Sequence, residues 1–152
     1  MFQVGGSGLS AEADAAVYLV LFGDHAAVID AGCGYSTKTI LKNINSCGVK
    51  PEQIDYLFLT HCHFDHTGGA DLMANLLQCK IVAHELDAIY LESGDSEVTA
   101  ASWYGKSMKP CPVDVKISGS EKEFRLGEKM IRAIHTPGHS PGSMVYLTES
   151  DG

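Results

Sequence analysis

Apolar positions along this chain fall into two spacings. Ala15-Ala16-Val17-Tyr18-Leu19-Val20-Leu21-Phe22, Ala26-Ala27-Val28-Ile29 and Ile54-Asp55-Tyr56-Leu57-Phe58-Leu59-Thr60 are nearly unbroken apolar runs of strand length, which is how strands covered on both faces read. Gly23-Asp24 joins the first two as a hairpin turn. Ile40, Leu41 and Ile44 recur at helical spacing within residues 36–47, and Gly48 supplies a stop. Leu72, Met73, Leu76 and Leu77 mark the apolar stripe of a second helix that starts near Gly69. Ile81-Val82-Ala83-His84 predicts a short strand and residues 85–92 a helix. Residues 113–117, 123–126, 130–135 and 144–147 predict strands, with Gly127-Glu128 as a turn. The residues before Ala15 read as a Gly/Ser-rich start with no assigned element. The second half is expected to continue the sheet with strands alone.

At 152 residues the chain is one domain's worth, long enough for a sizeable core. Its 11 basic and 19 acidic groups give a formal charge of −8, which argues against nonspecific binding to nucleic acid or to an anionic membrane. The five cysteines are odd in number and form no Cys-x-x-Cys pair, so a reduced, cytoplasmic setting is expected. The amino end has neither a basic lead nor a long apolar core, so no signal peptide is expected, and no apolar stretch approaches membrane-spanning length. In residues 93–112 the periodicity disappears. That segment mixes Gly, Ser, Thr and Pro with Trp103, Tyr104 and Met108, the composition of a long surface loop. It serves either as a lid or substrate wall, or as a loop that Trp103 and Tyr104 pin to the core.

Candidate chemistry concentrates after the third run, where His61-Cys62-His63-Phe64-Asp65-His66 places three imidazoles and a carboxylate within six residues. Imidazole nitrogen and carboxylate oxygen suit zinc, with iron, manganese and cobalt as alternatives. Two apart in an extended segment, His61 and His63 point to one side, and Asp65 with His66 can face a neighbouring point, so the cluster suits two adjacent metals. Gly68-Gly69 then lets the backbone turn tightly into the helix. A second loop, Thr136-Pro137-Gly138-His139-Ser140-Pro141-Gly142-Ser143, is stiffened by two prolines and also follows a strand; His139 is its candidate ligand. Asp30, at a strand end, can support a ligand imidazole or cap the following segment. His84 reads as a strand-end or capping residue, His135 as packing or support, and Cys62 as a bystander that could respond to oxidants.

These motifs, with Val28-Ile29-Asp30-Ala31-Gly32 ahead of them in the same order, resemble the metallo-β-lactamase superfamily of metal-dependent hydrolases, on its glyoxalase II side. The resemblance implies an α+β fold, an αββα sandwich with metals at one edge. It also implies that His61, His63 and His139 hold a first metal, that Asp65 and His66 contribute to a second, and that Asp30 supports without ligating. One or two zinc ions and a small-molecule substrate follow from it, with Asp65 as the catalytic carboxylate that orients a metal-activated water on an ester, thioester, lactam or phosphoester. A non-haem iron persulfide dioxygenase is the alternative enzyme. Family members continue with a strand ending in a bridging aspartate and later supply another histidine. Asp151 lies in a Ser-Asp-Gly turn too soon after the last strand to be that aspartate, so the chain resembles the amino-terminal part of a longer enzyme. It could therefore be a metal-binding module without activity of its own. The apolar surface left uncovered would favour self-association, making a homo-oligomer one expectation.

Overall fold

The computed structural model describes residues 1–148. Strands β1 (Phe2–Gly5), β2 (Val17–Phe22), β3 (His25–Ile29), β4 (Ile54–Phe58), β5 (Lys80–His84) and β6 (Val115–Ile117) form one sheet in chain order. The pairs β1/β2 and β2/β3 are antiparallel, while β3/β4, β4/β5 and β5/β6 are parallel. Each parallel step needs a crossover, and helices α1 (Thr37–Ser46), α3 (Ala70–Leu77) and α4 (Glu85–Ser93) supply them. Right-handed crossovers between strands added in one direction place the helices on one face. A four-residue helix, α2 (Phe64–Thr67), precedes α3, and a 3₁₀ turn at Pro51–Gln53 leads into β4. Strands β7 (Glu121–Leu126), β8 (Lys129–His135) and β9 (Met144–Thr148) make a separate antiparallel sheet.

Alternate residues of the central strands serve two cores, which is why they read as continuous apolar runs. Leu19, Val28, Leu57 and Ile81 pack under the helices with Ile40, Ile44, Met73, Leu77 and Leu91. Val20, Ala27, Phe58 and Val82 face the second sheet, meeting Phe124, Leu126, Ile131 and Ala133. Phe58 is the hub between the sheets, edge-on to Phe124 with ring centroids 5.0 Å apart and 5.0 Å from Tyr146. These layers match the metallo-β-lactamase sandwich expected from the motifs; the described residues hold one helical layer and both sheets.

Several sequence expectations are corrected. The amino-terminal stretch is not elementless: Phe2–Gly5 forms the edge strand, recruited by pairing with β2. The last three strands do not extend the first sheet but form the second. On α3 the buried positions are Ala70, Met73, Ala74 and Leu77, whereas Leu72 and Leu76 are each 48% exposed. Two alanines let the helix lie close to the sheet and turn the leucines outward. Within residues 93–112, Ala101–Tyr104 makes a 3₁₀ turn. Trp103 is 85% exposed and does not anchor the segment, whereas Tyr104 packs on Phe64, and buried Thr99, Ala101, Met108 and Cys111 anchor it as well. Among the described residues no helix is long and apolar enough to cross a membrane. Asp151 lies outside the described residues.

Candidate metal centre

The parallel register of β3 on β4, with Ile29 opposite Phe58, carries Asp30 beside Thr60. Asp30 is buried in the left-handed region, φ +62°, a conformation that short polar side chains tolerate better than most. Its carboxylate accepts from the Thr60 amide at 2.8 Å, the Thr60 hydroxyl at 2.8 Å and His66 Nδ1 at 2.7 Å. Because the Thr60 hydroxyl spends its proton on Asp30, it must accept from His61 Nδ1, 3.0 Å away. That assigns the proton of His61 to Nδ1 and leaves Nε2 with a bare lone pair. Nε2 of His61 is buried and has no hydrogen-bond partner among the described residues, an arrangement rarely tolerated unless something else occupies the nitrogen.

After His63 the chain enters α2, so Asp65 and His66 sit on a helical turn rather than on a loop. His66 Nε2 lies 3.6 Å from an Asp65 oxygen. Glycines 68 and 69 are required here, but not for unusual backbone angles, since their φ values are −59° and −94°. A Cβ on Gly68 would lie 2.5 Å from the Cys33 carbonyl oxygen, and one on Gly69 2.6 Å from that of Ala31. Close approach to the loop after β3 is the reason, and the Ala31 amide's 2.7 Å bond to the His66 carbonyl uses it.

His139 arrives from the second sheet. Its loop closes through the Thr136 amide on the Ser143 carbonyl and through His135 Nε2, 2.8 Å from the Pro141 carbonyl oxygen. The Met144 amide then donates to the Thr60 carbonyl, and the Tyr146 hydroxyl donates to the Leu59 carbonyl at 2.6 Å. These bonds seat the start of β9 on the end of β4. As a result the rings of His61, His63 and His139 face one another with centroids 4.6–4.7 Å apart, and each offers a nitrogen within 4.8 Å of the others. Three converging imidazoles with one orphaned buried nitrogen fit a divalent metal such as zinc.

Burial pushes the His61 imidazole down to about 3, with help from His66, His63 and His139, and burial also lowers His63. Both are therefore neutral near pH 7 and can present lone pairs. His66 differs: burial opposes its charge, yet the bond to Asp30 and the charges of Asp30 and Asp65 raise it above the ordinary value.

Of the residues singled out from sequence, His61, His63 and His139 converge, and Asp65 and His66 form an adjacent pair. Asp30 takes the supporting position rather than the capping one. His84 caps α4, its Nδ1 accepting from the Leu86 amide, and stacks on His135 at 3.8 Å. Cys62 is fully buried and its thiol is pushed up to about 12 by burial and by Asp87, so it is not poised to meet oxidants. Thr60, Asp87 and Ser140 were missed. Thr60, next to the histidine motif in an otherwise apolar strand end, was the only one with a local signal. A cleft of about 410 Å³ lies beside the pair, lined by Asp30, Thr60 and His66 and by apolar Val20, Ile131 and Met144.

An α+β sandwich with an imidazole cluster where the ends of both sheets meet defines a metal-binding class of protein. The sequence profile of the Metallo-beta-lactamase superfamily matches residues 12–152, and the chain belongs to that superfamily. A probable metallo-hydrolase of Methanocaldococcus jannaschii is 32% identical over 133 residues, 88% of this chain and 62% of the relative. An N-acyl homoserine lactonase of Bacillus cereus is 31% identical over 116 residues, 74% of this chain and 39% of the relative. Among solved structures, a subclass B3 metallo-beta-lactamase of Bradyrhizobium japonicum superposes with a TM-score of 0.79 at 30% identity, covering 90% of this chain and 52% of that one. The chain thus spans 39–62% of the length of these three relatives.

Proposed function

We propose that this chain carries the metal centre of a zinc-dependent hydrolase that cleaves small acyl compounds, with esters, lactones, thioesters and lactams as the substrate class and phosphoesters as a further candidate. The observation that carries this reading is the convergence of the His61, His63 and His139 imidazoles, with the buried Nε2 of His61 left without a hydrogen-bond partner among the described residues. In this reading His61, His63 and His139 are the first metal's ligands, and Asp65 and His66 serve a second. The metal, when bound, supplies an acidified water and a Lewis acid for the scissile carbonyl. Asp65, part-exposed beside His66, accepts a proton from the attacking water and holds it for the leaving group. His66 is kept in orientation by Asp30. The substrates named for the N-acyl homoserine lactonase and for the metallo-beta-lactamase, a lactone and a β-lactam, support the substrate class. Residues 93–112 form a wall of the substrate approach, joined to the motif by the Phe64 amide's bond to the Thr99 carbonyl and by Tyr104 packing on Phe64 at 5.5 Å.

The test is elemental analysis of protein purified without added metal, followed by turnover of a panel of lactone, thioester, lactam and phosphodiester substrates. Zinc near stoichiometric and acyl hydrolysis lost in His61→Ala are expected. Iron in place of zinc with oxygen-dependent turnover would favour a dioxygenase, and metal binding without turnover a module that lacks its own activity.

A further inference from the structure

Asp87 lies in the first turn of α4, outside both histidine motifs, and is 1% exposed. Its carboxylate reaches both of them. One oxygen accepts from the Gly142 amide at 2.7 Å; the other accepts from the Cys62 amide at 2.9 Å and the Ser140 hydroxyl at 2.6 Å. Cys62 sits between His61 and His63, and Ser140 immediately follows His139. Three donors from two loops, one on each sheet, thus converge on one buried group. The fit is steric as well: a Cβ on Gly142 would lie 2.6 Å from the Asp87 carboxyl carbon and 2.7 Å from its amide nitrogen. Position 142 therefore needs glycine because Asp87 occupies the space beside it.

We propose that Asp87 is a positioning residue that sets the spacing between His139 and the His61/His63 pair by clamping the two loops to the start of α4. This rests on the metal-centre reading above. Charge-assisted bonds of this kind are shorter and stronger than neutral ones, and all three are shielded from water. The imidazoles themselves have no direct bond that fixes His139 to His61 or His63; their mutual distance is carried by backbone at Cys62 and at residues 140–142. An amide at position 87 cannot replace the carboxylate. Whichever way it is flipped, its NH₂ faces a donor, either the Gly142 amide or the Cys62 amide with the Ser140 hydroxyl.

The test compares wild type with Asp87→Asn. Zinc affinity is read by competition with a chromogenic chelator, and ligand geometry by the visible d–d bands of the cobalt-substituted protein. Asp87→Asn is expected to bind zinc about 10- to 100-fold more weakly, the range found when groups that orient metal ligands are removed, and to shift the cobalt bands while far-UV circular dichroism is retained. Wild-type affinity together with an unshifted cobalt spectrum overturns the clamp. Should Asp87→Asn fail to fold, Ser140→Ala, which removes one of the three bonds, must show a smaller loss and the same band shift, and wild-type behaviour in it overturns the proposal. The metal-free protein gives an independent reading by amide hydrogen exchange. Cys62 and Gly142 are expected to exchange at least about tenfold faster in the variants that loosen them; unchanged exchange overturns the clamp. A wild-type chain that binds neither zinc nor cobalt sinks the metal-centre reading instead, and the exchange experiment still decides whether Asp87 couples the loops.

Discussion

The three-imidazole group and the Asp65/His66 pair are adjacent, with the ring centroids of His61 and His66 4.1 Å apart, but are assembled by opposite means. The pair is local: neighbours in sequence on the short helix α2, with His66 tied back to Asp30. The imidazole group is non-local, because His139 belongs to a loop between β8 and β9 and meets His61 only where the second sheet docks on the first. Their electrostatics differ in the same way. His61 is desolvated and neutral down to about pH 3, whereas His66 is held toward its charged form by two carboxylates. A desolvated, preorganised group suits tight binding of a cation, and a part-exposed carboxylate–imidazole pair suits proton traffic or a looser second ion.

The sharpest way to break this comparison is to remove one histidine from each group. His139→Ala should reduce bound zinc to background, more than about a 100-fold loss in affinity, since changes to supporting groups alone cost 10- to 100-fold. His66→Ala should keep one zinc per chain. Elemental analysis of the two variants decides it, and equal losses would erase the distinction.

A smaller effect is expected at the link between the groups. Asp30→Asn leaves at least one of three buried donors without an acceptor, at about 1–3 kcal/mol for each orphaned group, and should lower the melting temperature by at least about 2 °C. The same change should bring the His66 pKa down, because burial remains while the Asp30 charge is gone. Proton NMR titration of the metal-free protein reads the second effect; an unmoved His66 would mean that Asp30 does not hold its proton.

The opposite pKa shifts also predict opposite pH slopes. His61 titrates lower in the folded chain than in the unfolded one. Below about pH 6.5 the unfolded state therefore takes up a proton that the folded state refuses, and stability falls by up to about 1.4 kcal/mol per pH unit down to about pH 3. His66 is raised, so its contribution is present at pH below its unfolded value and is lost as pH rises through its folded one. Urea denaturation of the metal-free protein should thus show lower stability at pH 5 than at pH 7, and His66→Ala should steepen the drop. A flat profile would argue that His61 is solvated in the metal-free chain. The smallest change expected is at Trp103. Being 85% exposed, its replacement by Ala should leave stability within about 0.5 kcal/mol and act only on KM for bulky acyl substrates, measured by steady-state kinetics.

Much of the fold was legible because the central strands carry apolar residues on both faces and α1 carries them at helical spacing. Legibility failed where a neighbour, not the segment itself, decides the outcome. Phe2–Gly5 becomes a strand because β2 offers an unpaired edge. Leu72 and Leu76 lie outward because Ala70 and Ala74 bring α3 close to the sheet. Glycines 68 and 69 read from the sequence as a tight turn into the helix, but their reason, contact with the backbone of the loop after β3, appears only in three dimensions.

The sequence alone determined which imidazole and carboxylate groups stand together locally and their local directions. Alternation along an extended backbone aims His61 and His63 the same way, and adjacency keeps Asp65 with His66, since covalent geometry sets these vectors over a few residues. Only the tertiary structure decided that His139 is the third imidazole to join them, that the proton of His61 sits on Nδ1, and that Asp87 reaches both loops. Those outcomes depend on the packing of Phe58, Phe124 and Tyr146 between the sheets and on the parallel register of β3 and β4. Such distances are set by side-chain volumes summed across a core, and no spacing along one chain segment records them.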